Sequence, residues 1–82
     1  MKIEEELRNF ISKTFHPRED PNKLNYDDLL DTGTLDSLAI LQLIAHLEKT
    51  YGIHVGNDEI IAENIGSVTR IAEFVKRKQG VR

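Results

Sequence analysis

Residues 36–51 read DSLAILQLIAHLEKTY and contain neither glycine nor proline. Apolar side chains recur in this stretch at spacings of three or four, which predicts an amphipathic central helix. The predicted apolar face is Leu38, Leu41, Ile44, Leu47 and Tyr51, widened by Ile40 and Leu43. Asp36 and Ser37 suit the first positions of a helix, because their side-chain oxygens accept hydrogen bonds from unpaired backbone N–H groups. Gly52 is expected to end the helix.

The N-terminal side predicts a second helix and a long loop. Residues 1–15 place apolar side chains at helical spacing, and Pro17 is expected to end this amphipathic helix; the apolar residues are Ile3, Leu7, Phe10, Ile11 and Phe15. Residues 16–35 hold two prolines, Gly33 and clustered aspartates, and we interpret them as an ordered loop. The residues expected to pin it are Leu24, Tyr26, Leu29 and Leu30. A loop of about twenty residues in so small a domain tends to be functional.

A short third helix is predicted over residues 59–63. Asn57 or Asp58 is its candidate cap, because both side chains favour the position before a helix. Ile60 and Ile61 are expected to face the interior.

A fourth helix is predicted to begin after Ser67, which is its expected cap. Its apolar face is Val68, Ile71, Ala72 and Val75, and its last turn is basic, which suits the negative end of a helix dipole. Residues 80–82 are expected to be frayed. No alternating strand pattern is present, so residues 1–82 are predicted to form one all-α domain, a small bundle of three longer helices and one short third helix.

Composition restricts the classes of function. Fourteen acidic and eleven basic residues give a net charge of −3, which argues against nucleic acid or an anionic membrane as the main partner. The chain has no cysteine, so any thiol chemistry would need a prosthetic group. The acidic N-terminus lacks the apolar run of a signal peptide. We therefore expect a cytoplasmic protein, and a monomer.

Residues 28–38, DLLDTGTLDSL, precede the apolar helix that ends in residues 47–53, LEKTYGI. This arrangement strongly resembles the acyl and peptidyl carrier proteins, whose signature is matched by Asp36, Ser37 and Leu38. A bare D-S-L means little, but here it stands at a loop-to-helix junction in a short chain with the family's helix order. The resemblance covers nearly the whole chain and implies an acyl-carrier-like four-helix fold.

By this resemblance, Ser37 receives 4′-phosphopantetheine from coenzyme A in a reaction catalysed by a separate phosphopantetheinyl transferase. The arm would supply the missing thiol and hold cargo as a thioester, while the chain itself catalyses nothing. A phosphodiester at a helix start would lie near unpaired N–H groups and the positive end of the dipole. The alternative is that Ser37 is only a helix cap. Asp36 either helps the transferase engage or is itself a cap that complements the dipole.

The same resemblance suggests a partner surface on the central helix. Leu38 matches the family's exposed apolar contact for partner enzymes, although its spacing also fits the core. Gln42, Ala45 and Lys49 follow on the same face as a candidate recognition strip, or as plain solvated surface. The expected partners are the transferase, an acyl or aminoacyl ligase or acyltransferase, and downstream synthase enzymes.

The neutral strip differs from the strongly acidic second helix of fatty-acid-synthesis carriers. It is more similar to D-alanyl and peptidyl carriers, or to dedicated carriers of specialised pathways, and this favours an aminoacyl or specialised acyl cargo. Acidic residues lie instead in the loop, where they could steer the chain toward a basic enzyme surface; they are Asp27, Asp28, Asp31 and Asp36. An apolar interior between the second and third helices could shelter an acyl chain, and the sequence leaves the cargo open.

Enzyme and metal functions are disfavoured. His46 lies nine residues after Ser37, about 13.5 Å along a helix, too far for a general base. His16 and His54 show no ligand spacing, and the loop aspartates lack the glycine and terminal glutamate of a calcium loop. The remaining rival is a small helical adaptor that binds proteins noncovalently through the Leu38 face. A helix-turn-helix DNA binder is disfavoured by the acidic balance.

Overall fold

The computed structural model describes residues 2–80, in which the chain forms four α-helices and no β-strand. Two short 3₁₀ turns, Pro21–Lys23 and Asn57–Glu59, lie in the connections. The helices are α1 (Lys2–Phe15), α2 (Ser37–Tyr51), α3 (Ala62–Ile65) and α4 (Val68–Lys78). The predicted all-α bundle of three longer helices and one short third helix is confirmed. None of the helices in this part of the chain is long and apolar enough to cross a membrane.

Helix α1 turns one apolar edge toward the rest of the chain. Leu7 and Ile11 are completely buried, and Glu4 and Glu5 lie in the first turn, where negative charge complements the helix dipole. The backbone N–H of His16 still donates to the Ser12 carbonyl, 3.0 Å away, and Pro17 follows. The helix therefore ends where the sequence predicts, because a residue before proline avoids the helical region.

The loop between α1 and α2 is ordered by backbone bonds to the distant α3–α4 junction. The N–H of Leu29 donates to the Gly66 carbonyl and the N–H of Val68 donates to the Tyr26 carbonyl, both over 2.9 Å. Leu29 is completely buried, and Leu35, which the sequence did not single out, is also buried. The loop is thus an ordered part of the fold that packs against the helices. Its backbone bonds and buried leucines define the path of the chain into α2.

Helix α2 buries most of the predicted apolar face, but its first two leucines, which were also expected or considered for the core, lie outside that face. Its buried residues are Ala39, Leu43, Ile44 and Leu47, whereas Leu38 and Leu41 are 64% and 61% exposed. The placement of Leu41 in the core was therefore wrong. At 100° per residue, α2 carries more apolar side chains than one buried face can hold. The spacing alone is therefore compatible with two rotations of the helix about its axis. Gly52 ends the helix in the left-handed region, with φ of 67°, as expected.

The predicted third helix lies at shifted residues. The stretch 59–63 is divided between a 3₁₀ turn that ends at Glu59 and helix α3, which begins at Ala62. Ile61, expected to be buried, is 45% exposed and precedes α3 in extended conformation. The reason lies in Glu59, whose carboxylate accepts from the Gly56 N–H at 2.9 Å and from the Lys78 ammonium at 2.8 Å. These bonds end the 3₁₀ turn at Glu59, so α3 begins only at Ala62.

Helix α4 follows the prediction closely. Ser67 caps it, accepting from the Arg70 N–H over 3.1 Å, and the buried face is Val68, Ile71, Ala72, Phe74 and Val75. The helix packs against both α1 and α3. Of the C-terminal residues expected to be frayed, Gly80 lies in a turn, and Val81 and Arg82 lie outside the described residues.

Candidate functional site

The candidate site lies where the loop enters α2. Asp36 has extended backbone dihedrals, and its carboxylate accepts from the Ala39 N–H over 2.8 Å. Its carbonyl accepts from the Ile40 N–H over 2.9 Å, the first bond of the helix. Asp36 is therefore the N-cap of α2. The alternative in which Ser37 serves only as the cap is wrong, because the neighbouring aspartate makes the capping bond.

Ser37 is the first residue of α2, and its side chain is exposed. Within residues 2–80 its hydroxyl makes no hydrogen bond to another group. The backbone N–H groups of Ser37 and Leu38 belong to the first turn, which has no intrahelical acceptors, and the positive end of the α2 dipole lies there. A negatively charged group attached to this hydroxyl would lie near these unpaired donors, beside the Asp36 carboxylate that caps the Ala39 N–H, so the position can accommodate a phosphodiester.

The approach to Ser37 is rigid on its N-terminal side. Leu35 is buried and its N–H donates to the Leu29 carbonyl over 2.9 Å. Gly33, with φ of 75°, makes the preceding turn and donates to the Leu30 carbonyl. The chain can turn sharply here because glycine alone enters this region without strain. Thr34 is held separately through its carbonyl, which accepts from His16 over 2.7 Å.

All members of the predicted recognition strip are exposed on α2, on the side opposite the buried face. Leu38, Gln42, Ala45 and Lys49 share this side. Leu41 shares it too, and the sequence interpretation missed it as a surface residue. The signal was available, because Leu41 is three residues after Leu38 and four residues before Ala45, and such residues are neighbours on a helix. The surface is neutral and apolar at the end near Ser37 and ends in one cation.

The loop aspartates do not form an isolated acidic patch. Asp27, Asp28 and Asp31 line an open cavity of about 510 Å³ together with Arg70, which α4 contributes. Asp28 also accepts from the Asp31 N–H over 3.1 Å and so holds the loop's own turn. A cation that is distant in the chain thus lines the same cavity as these carboxylates. The acidic loop is weaker as a steering surface than its sequence suggests.

The histidines lie apart, and each has a local explanation. His46 stacks on Phe10 with ring centroids 3.7 Å apart, and burial lowers its pKa while Glu6 opposes that shift. His54 has a 92% exposed side chain. His16 is hydrogen-bonded at the end of α1. The described residues contain no group of three or more His, Asp or Glu side chains able to hold a metal ion.

Comparison with known proteins decides the family. A family model described as the phosphopantetheine attachment site matches residues 5–75, which include the whole candidate site. The chain belongs to the phosphopantetheine-binding carrier proteins. It is a carrier that tethers intermediates on a covalently attached 4′-phosphopantetheine arm. Carrier proteins of this kind are generally not catalytic themselves, and they work with a ligase and other enzymes.

Curated relatives resemble this carrier over almost its whole length. The D-alanyl carrier proteins of Streptococcus pyogenes serotype M5 (strain Manfredo) and serotype M49 (strain NZ131) are each 35% identical over 79 residues. The match covers 96% of this carrier and 98% of each relative. No solved structure gave a significant match.

Proposed function

We propose that Ser37 is the attachment residue, and that the carrier holds an aminoacyl group, with D-alanine as the first candidate. The observation that supports Ser37 as the attachment residue most directly is that Asp36, and not Ser37, caps α2. Asp36 makes the capping bond to Ala39, and this leaves the neighbouring hydroxyl exposed and without a structural task. A residue that must be modified by another protein needs this accessibility.

Attachment is a phosphoryl transfer in which the carrier contributes the nucleophile. The Ser37 Oγ forms a bond to the phosphorus next to the pantetheine unit of coenzyme A, and the pyrophosphate bond breaks. The adenosine bisphosphate leaves with the electron pair, and the hydroxyl proton passes to a base of the transferase. The unpaired N–H groups at the start of α2 would lie near the phosphodiester and complement its negative charge. When bound, the arm supplies the thiol that this cysteine-free chain lacks.

The proposal of an aminoacyl cargo has two supports. The curated relatives that match along almost the whole chain are D-alanyl carrier proteins. The exposed side of α2 that holds Leu38, Gln42 and Ala45 is neutral, in keeping with the resemblance to D-alanyl and peptidyl carriers. A carboxylate-activating ligase would charge the arm, and downstream enzymes would receive the aminoacyl group.

We further propose that partner enzymes dock along Leu38, Gln42, Ala45 and Lys49, and that the transferase also engages Asp36. The chain itself would catalyse nothing, and it would act in the cytoplasm as a monomer. Residues 1–82 would function as one carrier domain, because the described helices share a single apolar core. Each of these statements depends on the exposed first turns of α2.

Intact-protein mass spectrometry tests the attachment residue. The apo carrier is incubated with coenzyme A, Mg²⁺ and a broad-specificity phosphopantetheinyl transferase, and we expect a gain of one phosphopantetheinyl group. Ser37→Ala should gain none, whereas Thr69→Ala, which removes another exposed hydroxyl from the first turn of a helix, should be modified normally. Modification that persists in Ser37→Ala would place the attachment elsewhere.

A second assay tests the cargo separately. The holo carrier is offered to the ligase that charges a D-alanyl carrier protein, with ATP and either D-alanine or L-alanine, and to a fatty-acyl ligase with a medium-chain acid. We expect a D-alanyl thioester, detected by mass and released by hydroxylamine. Charging by the fatty-acyl ligase alone would overturn the aminoacyl proposal and leave the attachment result intact.

A further inference from the structure

His16 connects two parts of the chain that are distant in sequence. It follows α1 directly, and its Nε2 lies 2.7 Å from the carbonyl oxygen of Thr34, eighteen residues further on. Its Nδ1 is hydrogen-bonded to the carboxylate of Glu19. A carbonyl and a carboxylate only accept hydrogen bonds, so both ring nitrogens act as donors here. The arrangement is that of a positively charged imidazolium.

The surroundings of His16 favour that charge. Its pKa is raised, first by the bond to the Thr34 carbonyl and then by the hydrogen bond to Glu19 and the charges of Glu19 and Asp36, with burial opposing. These two carboxylates are the charged groups that act on the ring. The α1 and α2 side chains that share its groove, including Phe15 and Gln42, carry no charge.

The Thr34 carbonyl lies two residues before the N-cap of α2. Within the described residues its only side-chain donor is His16. The neighbouring bonds, from Leu35 to Leu29 and from Gly33 to Leu30, stay within the loop. The bond from His16 is different, because it attaches this segment to the end of α1. It therefore adds an anchor at the end of α1 to the anchor that Leu29 makes with the α3–α4 junction.

We propose that His16 is a positioning residue for the modification of Ser37: its imidazolium ties the Thr34 carbonyl to the end of α1 and fixes the entry of the chain into α2. This inference rests on Ser37 being the attachment residue. A transferase that binds a preformed junction does not have to order it, so the free energy of ordering is saved on binding. We therefore expect loss of the His16 bond to raise the KM of the transferase for the carrier and to leave kcat unchanged.

The pH dependence follows from the two acceptors. A neutral imidazole has one N–H and can donate to only one of them. A histidine whose folded pKa is raised adds stability that is complete below its unfolded pKa and is lost as pH rises through the folded pKa. The junction should therefore be most firmly held at mildly acidic pH and should loosen above neutrality.

Transfer kinetics with saturating coenzyme A test the proposal. The apo carrier, His16→Ala and the conservative His16→Gln are compared at several pH values between about 6 and 8.5, a range that brackets the ordinary histidine pKa. At the lowest pH we expect His16→Ala to raise the KM for the carrier by about three- to tenfold, the range for a partly exposed charged hydrogen bond, with kcat unchanged. His16→Gln, which keeps one donor, should recover part of the loss. The ratio of natural to alanine KM should approach one as pH rises.

His54→Gln is the matched control, because its side chain is 92% exposed and its nearest charged partner is Glu48 near the C-terminal end of α2. It should behave like the natural carrier at every pH. The proposal would be overturned if His16→Ala left KM unchanged at the lowest pH. It would also be overturned if the ratio of the natural to the alanine KM did not change with pH.

A measurement on the unmodified natural carrier needs neither a variant nor a transferase. In a pH titration followed by NMR, the amides of Leu35 and Ser37 should shift with the midpoint of the His16 ring protons. The hydrogen-exchange protection of the Leu35 amide, calculated relative to its intrinsic exchange rate at each pH, should fall above that midpoint. Amides that ignore that midpoint would refute the positioning role. A different result would separate the two proposals. If these amides follow His16 but no transferase modifies the natural carrier, the assignment of Ser37 as the attachment residue is refuted, while the contact between His16 and Thr34 stands.

Discussion

Replacing Asp36 separates its two proposed tasks, the cap of α2 and a charge for the transferase. Asp36→Ala removes the bond to the Ala39 N–H, and loss of such a cap costs about 1 kcal/mol. Loss of a carboxylate at the positive end of the dipole adds about 0.3–1 kcal/mol. Asp36→Asn keeps a side-chain oxygen that caps about as well, so only the smaller cost remains. For a domain of this size each kcal/mol lowers the melting temperature by about 4–8 °C.

Thermal unfolding followed by circular dichroism measures the cap, and transfer kinetics to Ser37 measure the charge. We expect the alanine variant to melt about 5–15 °C below the natural carrier and the asparagine variant to lose at most half of that. Both should be modified more slowly. An alanine variant with an unchanged melting temperature would show that the bond to Ala39 does not stabilise α2. Full-rate modification of the asparagine variant would show that the transferase does not read the charge.

Two further outcomes follow from the packing and from an ion pair. Leu43→Ala should cost about 2–5 kcal/mol in urea unfolding, because Leu43 is completely buried, whereas Leu41→Ala should be close to neutral, because that side chain is 61% exposed. If the two variants were equally destabilised, the assignment of Leu43 to the buried face of α2 and of Leu41 to the exposed side would be wrong. The bond from Lys78 lowers the pKa of Glu59 below the ordinary value of a glutamate. Its stabilisation is therefore present above that ordinary pKa and is lost as pH falls through the folded pKa. Lys78→Met should flatten the decline in stability below that ordinary pKa, and an unchanged decline would contradict the pairing.

Features that the sequence predicts correctly depend on neighbours in the chain. Ser67 and Gly52 are recognisable because a cap acts on backbone groups within a few residues. The Asp36 and Ser37 junction is recognisable for the same reason. The ends of α1 and α4 also follow local rules, so composition and spacing suffice there.

The errors and omissions involve distant contacts. The buried side of α2 depends on which face meets α1, α4 and the loop, and a helix with leucines on both sides does not reveal it. The start of α3 depends on Glu59, whose carboxylate is held by Lys78, nineteen residues later. His16 and Thr34 are separated by eighteen residues. No periodicity encodes such pairs, so they become visible only in the folded chain.

The exposed leucines on α2 have a consequence for how a carrier would work with several enzymes. Leu38 and Leu41 each leave more than half of their surface in water, although the helix has a full buried face without them. Such a surface gains free energy when a partner covers it. A strip of one helix is nevertheless small compared with a stable interface, so complexes formed through it alone would be weak. Weak docking suits a carrier, because cargo must leave one enzyme before it reaches the next. The covalent arm would keep the cargo at high local concentration during each encounter, and the protein surface need not supply strong affinity.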